Sequence, residues 1–254
     1  MSDQVVLTLR MALEQRLEAD AIVPNRFPAL DARAIAKLPV WYGGRPAVVG
    51  DFFTVTGDRS DRVLVQGDLA WAVGLGAGMV SGELVIVGAA GRDTGVAMAG
   101  GLIEIRGTAG DNTGGALPGA SRGMTGGEIV IRGNAGADTG ARMRRGLIAV
   151  TGDAGQGAGR GMIAGTVVLF GTAGAGTGRW IKRGSIVSFG AIARPASFRY
   201  ACTYRPPHMR LLLRYLAMRY GLPVTDSQIA GRYHRYSGDL AELGKGEMLE
   251  WAGA

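Results

Sequence analysis

The chain is poor in the residues that most often carry chemistry: its 254 residues hold one cysteine, Cys202, and two histidines, His208 and His234. A lone cysteine excludes an intramolecular disulfide and any cysteine-held cluster, and it fits a reducing compartment. Neither histidine has a partner at ligand or triad spacing, so both read as surface or interface residues rather than catalysts. No apolar run approaches the roughly 18 residues of a membrane span, and Asp3 spoils a secretory signal. The expected location is therefore the cytoplasm. A net charge of +7 raises the question of nucleic acid. The chain has no recognition-helix signature, no zinc spacing and no strand with adjacent exposed aromatics, so nucleic acid is not the expected partner.

What the chain has is glycine, 44 of them, and they keep time. Gly82, Gly101, Gly127, Gly146, Gly165 and Gly184 each precede by six positions Gly88, Gly107, Gly133, Gly152, Gly171 and Gly190. The spacing is 19 residues from Gly88 to Gly107 and three times running from Gly133 to Gly190; from Gly107 to Gly133 it is 26, an insertion of seven near Pro118. Self-similarity at about 20 residues marks a solenoid, in which each unit's apolar face is covered only by its neighbours.

Between each glycine pair lies a short strand with period-2 alternation: Leu84/Ile86, Ile103/Ile105, Ile129/Ile131, Ile148/Val150, Val167/Leu169 and Ile186/Ser188, with Val63/Val65 upstream. The opposite face mixes Glu104, Arg106, Arg132 and Thr151 with Val85, Val87, Val130 and Phe170, and is only partly suited to water. A G-x-x-G-x-x-x-G turn follows each of five strands, from Gly88/Gly91/Gly95 to Gly171/Gly174/Gly178. An interior glycine costs roughly 0.5–1 kcal/mol against alanine, so these glycines are expected at corners of the backbone. Met79, Met98, Met124, Met143, Met162 and then Ile181 recur once per unit and read as an internal ladder filling an irregular centre. A unit of 19 residues leaves no room for a helix pair and lacks the leucine-rich pattern, so the expected fold is all-β: a parallel β-helix, a single-stranded solenoid of about 19-residue coils, with a C-terminal helix.

Three segments are expected: an N-terminal cap over 1–60, the β-helix over 61–190, and a C-terminal helix and tail over 191–254. In the first, Val5 to Leu9 alternates as a strand, Pro24 and Pro28 punctuate a loop, and Asp31 caps a short helix from Ala32 to Lys37. Phe53 and Val55, ahead of Gly57, look like a rudimentary first coil. In the last, Pro206 and Pro207 open a helix carrying Met209, Leu212, Leu213, Leu216 and Met218 to a stop at Gly221 and Pro223, folded back over the last coils. Arg232 to Leu249 shows no assignable regular structure.

Asp93, Asn112 and Asp138, each followed by threonine, occupy one position of the unit. A calcium-binding roll needs a nine-residue repeat, so turn-stabilising side-chain to backbone bonds are the better reading. The glycine-rich turns lack the Lys-Ser/Thr and the helix of a phosphate loop. One feature remains. Arg122, Arg142, Arg160 and Arg179 stand at nearly matching positions, with Arg144, Arg145, Lys182 and Arg183 two to three residues further on. Stacking would crowd these charges unless anions lie between them, which favours an acidic partner surface over merely solvated arginines or an anionic substrate tail. The insertion near Pro118 is a natural second contact.

With these residues in view, the chain resembles the C-subunit of formylmethanofuran dehydrogenase, including its homologue in the formyltransferase/hydrolase complex of methylotrophic bacteria. The likeness rests on the Pro24/Phe27 entry, Val49-Gly50-Asp51-Phe52-Phe53, M-x-x-G turns such as Met79-Val80-Ser81-Gly82, Arg235-Tyr236-Ser237-Gly238-Asp239 and Gly244-Lys245-Gly246-Glu247, and spans nearly the whole chain. The turns are also similar to the C-terminal β-helix of the glutamate synthase large chain. That leaves as the alternative a free-standing domain positioning an amidotransferase and a synthase, disfavoured because this chain carries covers at both ends.

The first resemblance implies a right-handed β-helix acting as a non-catalytic scaffold in a hetero-oligomer. Chemistry would sit on an amidohydrolase-like A-subunit, a B-subunit and a formyltransferase D-subunit, or on a molybdenum or tungsten subunit in methanogens. It implies a methanofuran or methylofuran carrier for the complex, with no cofactor, metal or catalytic residue on this chain. The Ala-, Arg- and Gly-rich composition leans toward the hydrolytic complex, which takes formyl groups from a tetrahydromethanopterin carrier via the furan cofactor to formate.

Overall fold

The structure, a computed structural model, describes residues 4–253, so Asp3 lies outside them. It is mainly β-structure with a few short helices, as expected of an all-β chain. The first region holds β1 (Val5–Leu9), β2 (Leu17–Glu18), a 3-10 helix (Pro24–Ala29), α1 (Ala32–Ala36), β3 (Pro39–Tyr42), β4 (Arg45–Val48), α2 (Val49–Phe52) and β5 (Phe53–Thr56). The repeats supply β6 (Arg62–Gln66), β7 (Ala72–Val73), β8 (Glu83–Val87), β9 (Leu102–Ile105), β10 (Glu128–Ile131), β11 (Leu147–Val150), β12 (Thr166–Leu169) and β13 (Arg183–Ser188). After them come β14 (Arg199–Tyr204), α3 (Pro207–Tyr220), α4 (Asp226–Ala230), β15 (Arg232–Gly238) and β16 (Lys245–Gly253).

β6 and β8 to β13 lie side by side, parallel and in register. Leu84 stands beside Ile103, which is followed in turn by Ile129, Ile148, Val167 and Ile186. A second row of single-residue bridges runs in the same order through Leu69, Ala90, Ala109, Ala135, Ala154, Ala173 and Ile192. Equivalent residues of successive repeats therefore stack at two places, which is why the alternation had to repeat in phase. The large sheet, twelve strands in the order β14-β15-β16-β13-β12-β11-β10-β9-β8-β6-β1-β5, is mixed and does not close, because antiparallel strands flank the stack at both ends. A second sheet has the order β4-β3-β2-β7.

The interior is the aliphatic and thioether ladder read from the sequence. Met79, Met98, Met124, Met143, Met162 and Ile181 are all fully buried, alongside the inward residues of every strand. Full burial of one such side chain contributes about 1.5–3 kcal/mol. Each methionine tip rests on the strand-opening glycine of the next repeat: a Cβ at Gly101, whose φ is +85°, would lie 2.6 Å from Met79 Cε. Neighbouring backbones close the other corners, as at Gly107, where a Cβ would lie 2.2 Å from the Gly88 carbonyl oxygen. The threonines of the turns are buried, and Thr94, Thr113 and Thr139 donate to carbonyls three residues back at 2.9, 2.9 and 3.1 Å. The turn-stabilising reading fits the threonines and Asn112, which donates to the Ala116 carbonyl at 2.9 Å, whereas Asp93 accepts from the Arg92 and Asn112 side chains and Asp138 from Arg160.

Three expectations need correction. Phe53 and Val55 do not form a first coil: β5 runs antiparallel to β1 at the sheet's edge, and β1 itself takes the rung below β6, with Val5 beside Val63 and Leu7 beside Val65. The Pro24 to Pro28 stretch is a 3-10 helix rather than a plain loop. The tail is regular. β15 and β16 form an antiparallel pair, and β16 adds to β13 in parallel, with Met248 beside Ile186 and Gly246 beside Gly184.

The helices follow their signals. Asp31 accepts from the Ala34 amide at 2.7 Å to cap α1, and α3 ends at Gly221 in the left-handed conformation. α3 lies across the outer face of β10 to β13, packing Met209, Leu213, Leu216 and Tyr220 on Val130, Ala149, Val168 and Val187. Met218, on the same helix, is 86% exposed. Glu104 sits on this face, 8% exposed, held by Arg132 Nε at 2.8 Å and Arg106 Nη2 at 3.2 Å. Burial works to raise its pKa, but bonds and charge from Arg132 and Arg106 outweigh this and hold it below the usual carboxylate range. Arg132 also donates to the Tyr220 carbonyl at 2.6 Å, tying the end of α3 to the sheet.

Candidate partner-binding face

Away from the strand residues that α3 covers, the glycine-rich turns leading into the ladder residues form a second side of the stack. The residue just before the ladder residue adopts left-handed backbone in five repeats: Gly78, Ala97, Arg142, Gly161 and Trp180, with φ of 65°, 56°, 57°, 63° and 63°. That conformation costs an L-residue about 1–2 kcal/mol. Arg142 and Trp180 thus occupy a position that glycine fills without strain in two sister repeats. They line one groove of about 350 Å³ with Ile163 and Lys182, together with Ser121 of the inserted segment and Glu242 of the C-terminal loop. A smaller hollow of about 210 Å³ adjoins Trp180, with Asp138, Arg160 and Arg179 in its lining.

All eight sequence-predicted interface residues, Arg122, Arg142, Arg144, Arg145, Arg160, Arg179, Lys182 and Arg183, are exposed. Part of the expected like-charge crowding is met inside the chain. Arg160 pairs with Asp138 at 2.6 Å, Arg142 Nη1 donates to the Ala120 carbonyl at 2.7 Å, and the Arg179 guanidinium lies over the Trp180 ring, 4.5 Å from its centroid. Among the described residues, Arg122, Arg144, Arg145, Lys182 and Arg183 have no such partner. The charge is also one-sided along the stack. The two positions after the ladder residue hold Val80/Ser81, Ala99/Gly100 and Thr125/Gly126 in the first three repeats, then Arg144/Arg145, Ile163/Ala164 and Lys182/Arg183.

Sequence reasoning gave no role to two residues that shape this face. Asp239 is fully buried, and its carboxylate accepts from the Trp180 and Ala241 amides, each at 2.8 Å. In preceding repeats the equivalent N–H goes to a carbonyl of the next repeat: Arg142 to Arg160 at 2.8 Å and Gly161 to Arg179 at 2.7 Å. Asp239 replaces that carbonyl where the stack runs out. Burial raises its pKa, but hydrogen bonds from Ser197, Trp180 and Ala241 and the Arg179 charge bring it below the usual range. A tryptophan at the left-handed position was the one readable signal.

The remaining polar groups lie elsewhere. His234 Nδ1 is 2.7 Å from Thr203 Oγ1 on the C-terminal strands, His208 is exposed on α3, and Cys202 is exposed on β14. Beside α3 a cleft of about 430 Å³ contains Glu128, whose carboxylate takes the hydroxyls of Tyr215, at 2.9 Å, and Tyr220. Burial first, then Glu128, pushes the Tyr220 hydroxyl far above the usual phenol range. Among the described residues, no group of three His, Cys, Asp or Glu side chains could hold a metal ion, and no helix is long and apolar enough to cross a membrane.

No family model matches the chain. It is 33% identical over 93 residues to the C-subunit of the molybdenum-containing formylmethanofuran dehydrogenase 1 of Methanosarcina barkeri, covering 35% of this chain and 31% of that protein. To the C-subunit of the tungsten-containing formylmethanofuran dehydrogenase 2 of Methanothermobacter marburgensis it is 29% identical over 90 residues, 34% of this chain and 33% of that one. These matches span about a third of the curated relatives' length. A solved structure extends the likeness: the chain matches one in the crystal structure of the formyltransferase/hydrolase complex (FhcABCD) from Methylorubrum extorquens in complex with methylofuran, at 34% identity and a TM-score of 0.80, covering 96% of this chain and 98% of that one. The repeats, the C-terminal strands and this near end-to-end match together place the chain in the C-subunit family of the formylmethanofuran dehydrogenases and formyltransferase/hydrolase complexes.

Proposed function

We propose that this chain is a non-catalytic scaffold in a cytoplasmic formyltransferase/hydrolase complex, built as a right-handed parallel β-helix over 61–190 between an N-terminal cap, 1–60, and a C-terminal helix and tail, 191–254. The two stacked rows, strands and alanine bridges, support the solenoid reading. A column held by in-register backbone bonds and a packed axis is rigid enough to fix neighbours at set distances. In this reading an amidohydrolase-like A-subunit, a B-subunit and a formyltransferase D-subunit gather around it. They move formyl groups from a tetrahydromethanopterin carrier via a methylofuran-type cofactor to formate, and this chain supplies position rather than reacting groups.

The observation that carries the proposal is the end-to-end match to a chain of the Methylorubrum extorquens complex. The turn face is the contact for an acidic partner surface, through Arg122, Arg142, Arg144, Arg145, Arg160, Arg179, Lys182 and Arg183, with the inserted segment near Pro118 as its wall. Exposed arginines around a fixed tryptophan are the composition that dominates interface energies. The test is to assay the purified chain alone and with its co-expressed partners. Partner capture without turnover by the isolated chain is expected; release of formate from a formylated furan carrier by the chain alone would contradict the scaffold role.

A further inference from the structure

α3 spends its inner face on the sheet through Met209, Leu213, Leu216 and Tyr220. Leu211, Tyr215 and Met218 are then left 75%, 41% and 86% exposed. Their spacing, i, i+4 and i+7, starts all three from one row on the outer half of the helix, from which the Tyr215 side chain reaches back to the sheet at Glu128. Single exposed apolar residues are ordinary, whereas a contiguous apolar row marks an interaction surface.

The middle residue of the row is fixed in advance. The Tyr215 hydroxyl donates to both Glu128 carboxylate oxygens at 2.9 Å, and its ring meets the Tyr220 ring edge-on at 5.9 Å between centroids. The adjoining cleft is lined by Tyr215 together with Leu102 and Arg219. An aromatic side chain already held in place loses little freedom on binding.

Charge selects the occupant. α3 carries Arg210, Arg214 and Arg219 and no Asp or Glu, so the apolar row has a basic rim. A second copy of the chain would set like-charged rims against each other in a two-fold contact, which disfavours self-association. We propose that the outer face of α3 is a docking surface for a different subunit, one bearing an apolar patch rimmed by Asp and Glu. This rests on the reading of the chain as one member of a complex, and it adds a second contact, on the helix rather than on the basic turns.

The test is capture of co-expressed complex subunits by the tagged chain in three forms: wild type, Leu211→Ser/Met218→Ser, and Arg142→Ser/Arg145→Ser/Arg160→Ser. The α3 variant is expected to lose a subunit or weaken its affinity at least tenfold, with the isolated chain's thermal unfolding unchanged because both substituted side chains face solvent. Retention of every subunit at wild-type affinity overturns the docking surface. So does a wild-type dimer on sizing that Leu211→Ser/Met218→Ser breaks, since the occupant is then a second copy. If the arginine variant releases subunits and the α3 variant none, this inference fails while the complex stands. If wild type captures nothing, the complex reading fails with it.

Discussion

The two long sides of the stack are finished differently. On the strand side, apolar residues that could not face water, Val130, Ala149, Val168 and Val187, are covered by α3, and Glu104 is enclosed with two arginines. On the turn side, the last three repeats meet solvent through Arg142, Arg144, Arg145, Lys182 and Arg183, and two of those repeats carry a bulky residue where glycine would relieve the backbone. The same repeat unit is thus covered on one side and left exposed and charged on the other. Backbone strain kept on an exposed, charged surface points to use of the side chains that cause it.

This contrast is most severely challenged through the ladder both sides share. Met143→Ala removes a fully buried side chain at the axis and should destabilise the chain by about 2–5 kcal/mol, read as a lower urea midpoint. A loss under about 1 kcal/mol would mean the centre is not packed as described.

On the strand side alone, Glu104→Gln should cost about 1–3 kcal/mol at neutral pH, because Arg132 and Arg106 lose a charged acceptor. The sign of its pH dependence follows from the direction of the shift. The folded carboxyl titrates below its unfolded value, so its stabilisation is complete above the unfolded pKa near 4.5 and is lost as pH falls through the lower, folded value. Urea midpoints of wild type and Glu104→Gln should therefore converge on acidification. A gap that persists through that range would remove the ion-pair account.

Much of this contrast was legible in the sequence, for a physical reason. Strands β8 to β13 and the methionine ladder repeat in phase, so each repeat corroborates the others, and the αL stop at Gly221 and the Asp31 cap are local signals that need no partner. What escaped reading depends on residues far apart in the chain. β1 has no bracketing glycines, and only its pairing with β6 makes it a rung. β16 carries the opening glycine, Gly246, without a closing one, and its place beside β13 is set by contact rather than by pattern. Trp180 and Asp239 are 59 residues apart, and nothing local announces their bond. Nor does the sequence show that Asp138 neutralises Arg160, which is why the turn face read as more crowded with unpaired charge than it is.

An effect no larger than the cost of Met143→Ala bears most directly on the central claim, that this column holds its neighbours through the basic side of its turns. It is the affinity of the chain for its co-expressed subunits, measured across a salt series with wild type and with Arg142→Ser/Arg145→Ser/Arg160→Ser. The account predicts binding that weakens as salt rises, at least tenfold weaker at low salt in the triple variant, about 1.4 kcal/mol, with unchanged unfolding of the isolated chain. Equal affinity of the two proteins at every salt concentration would contradict it.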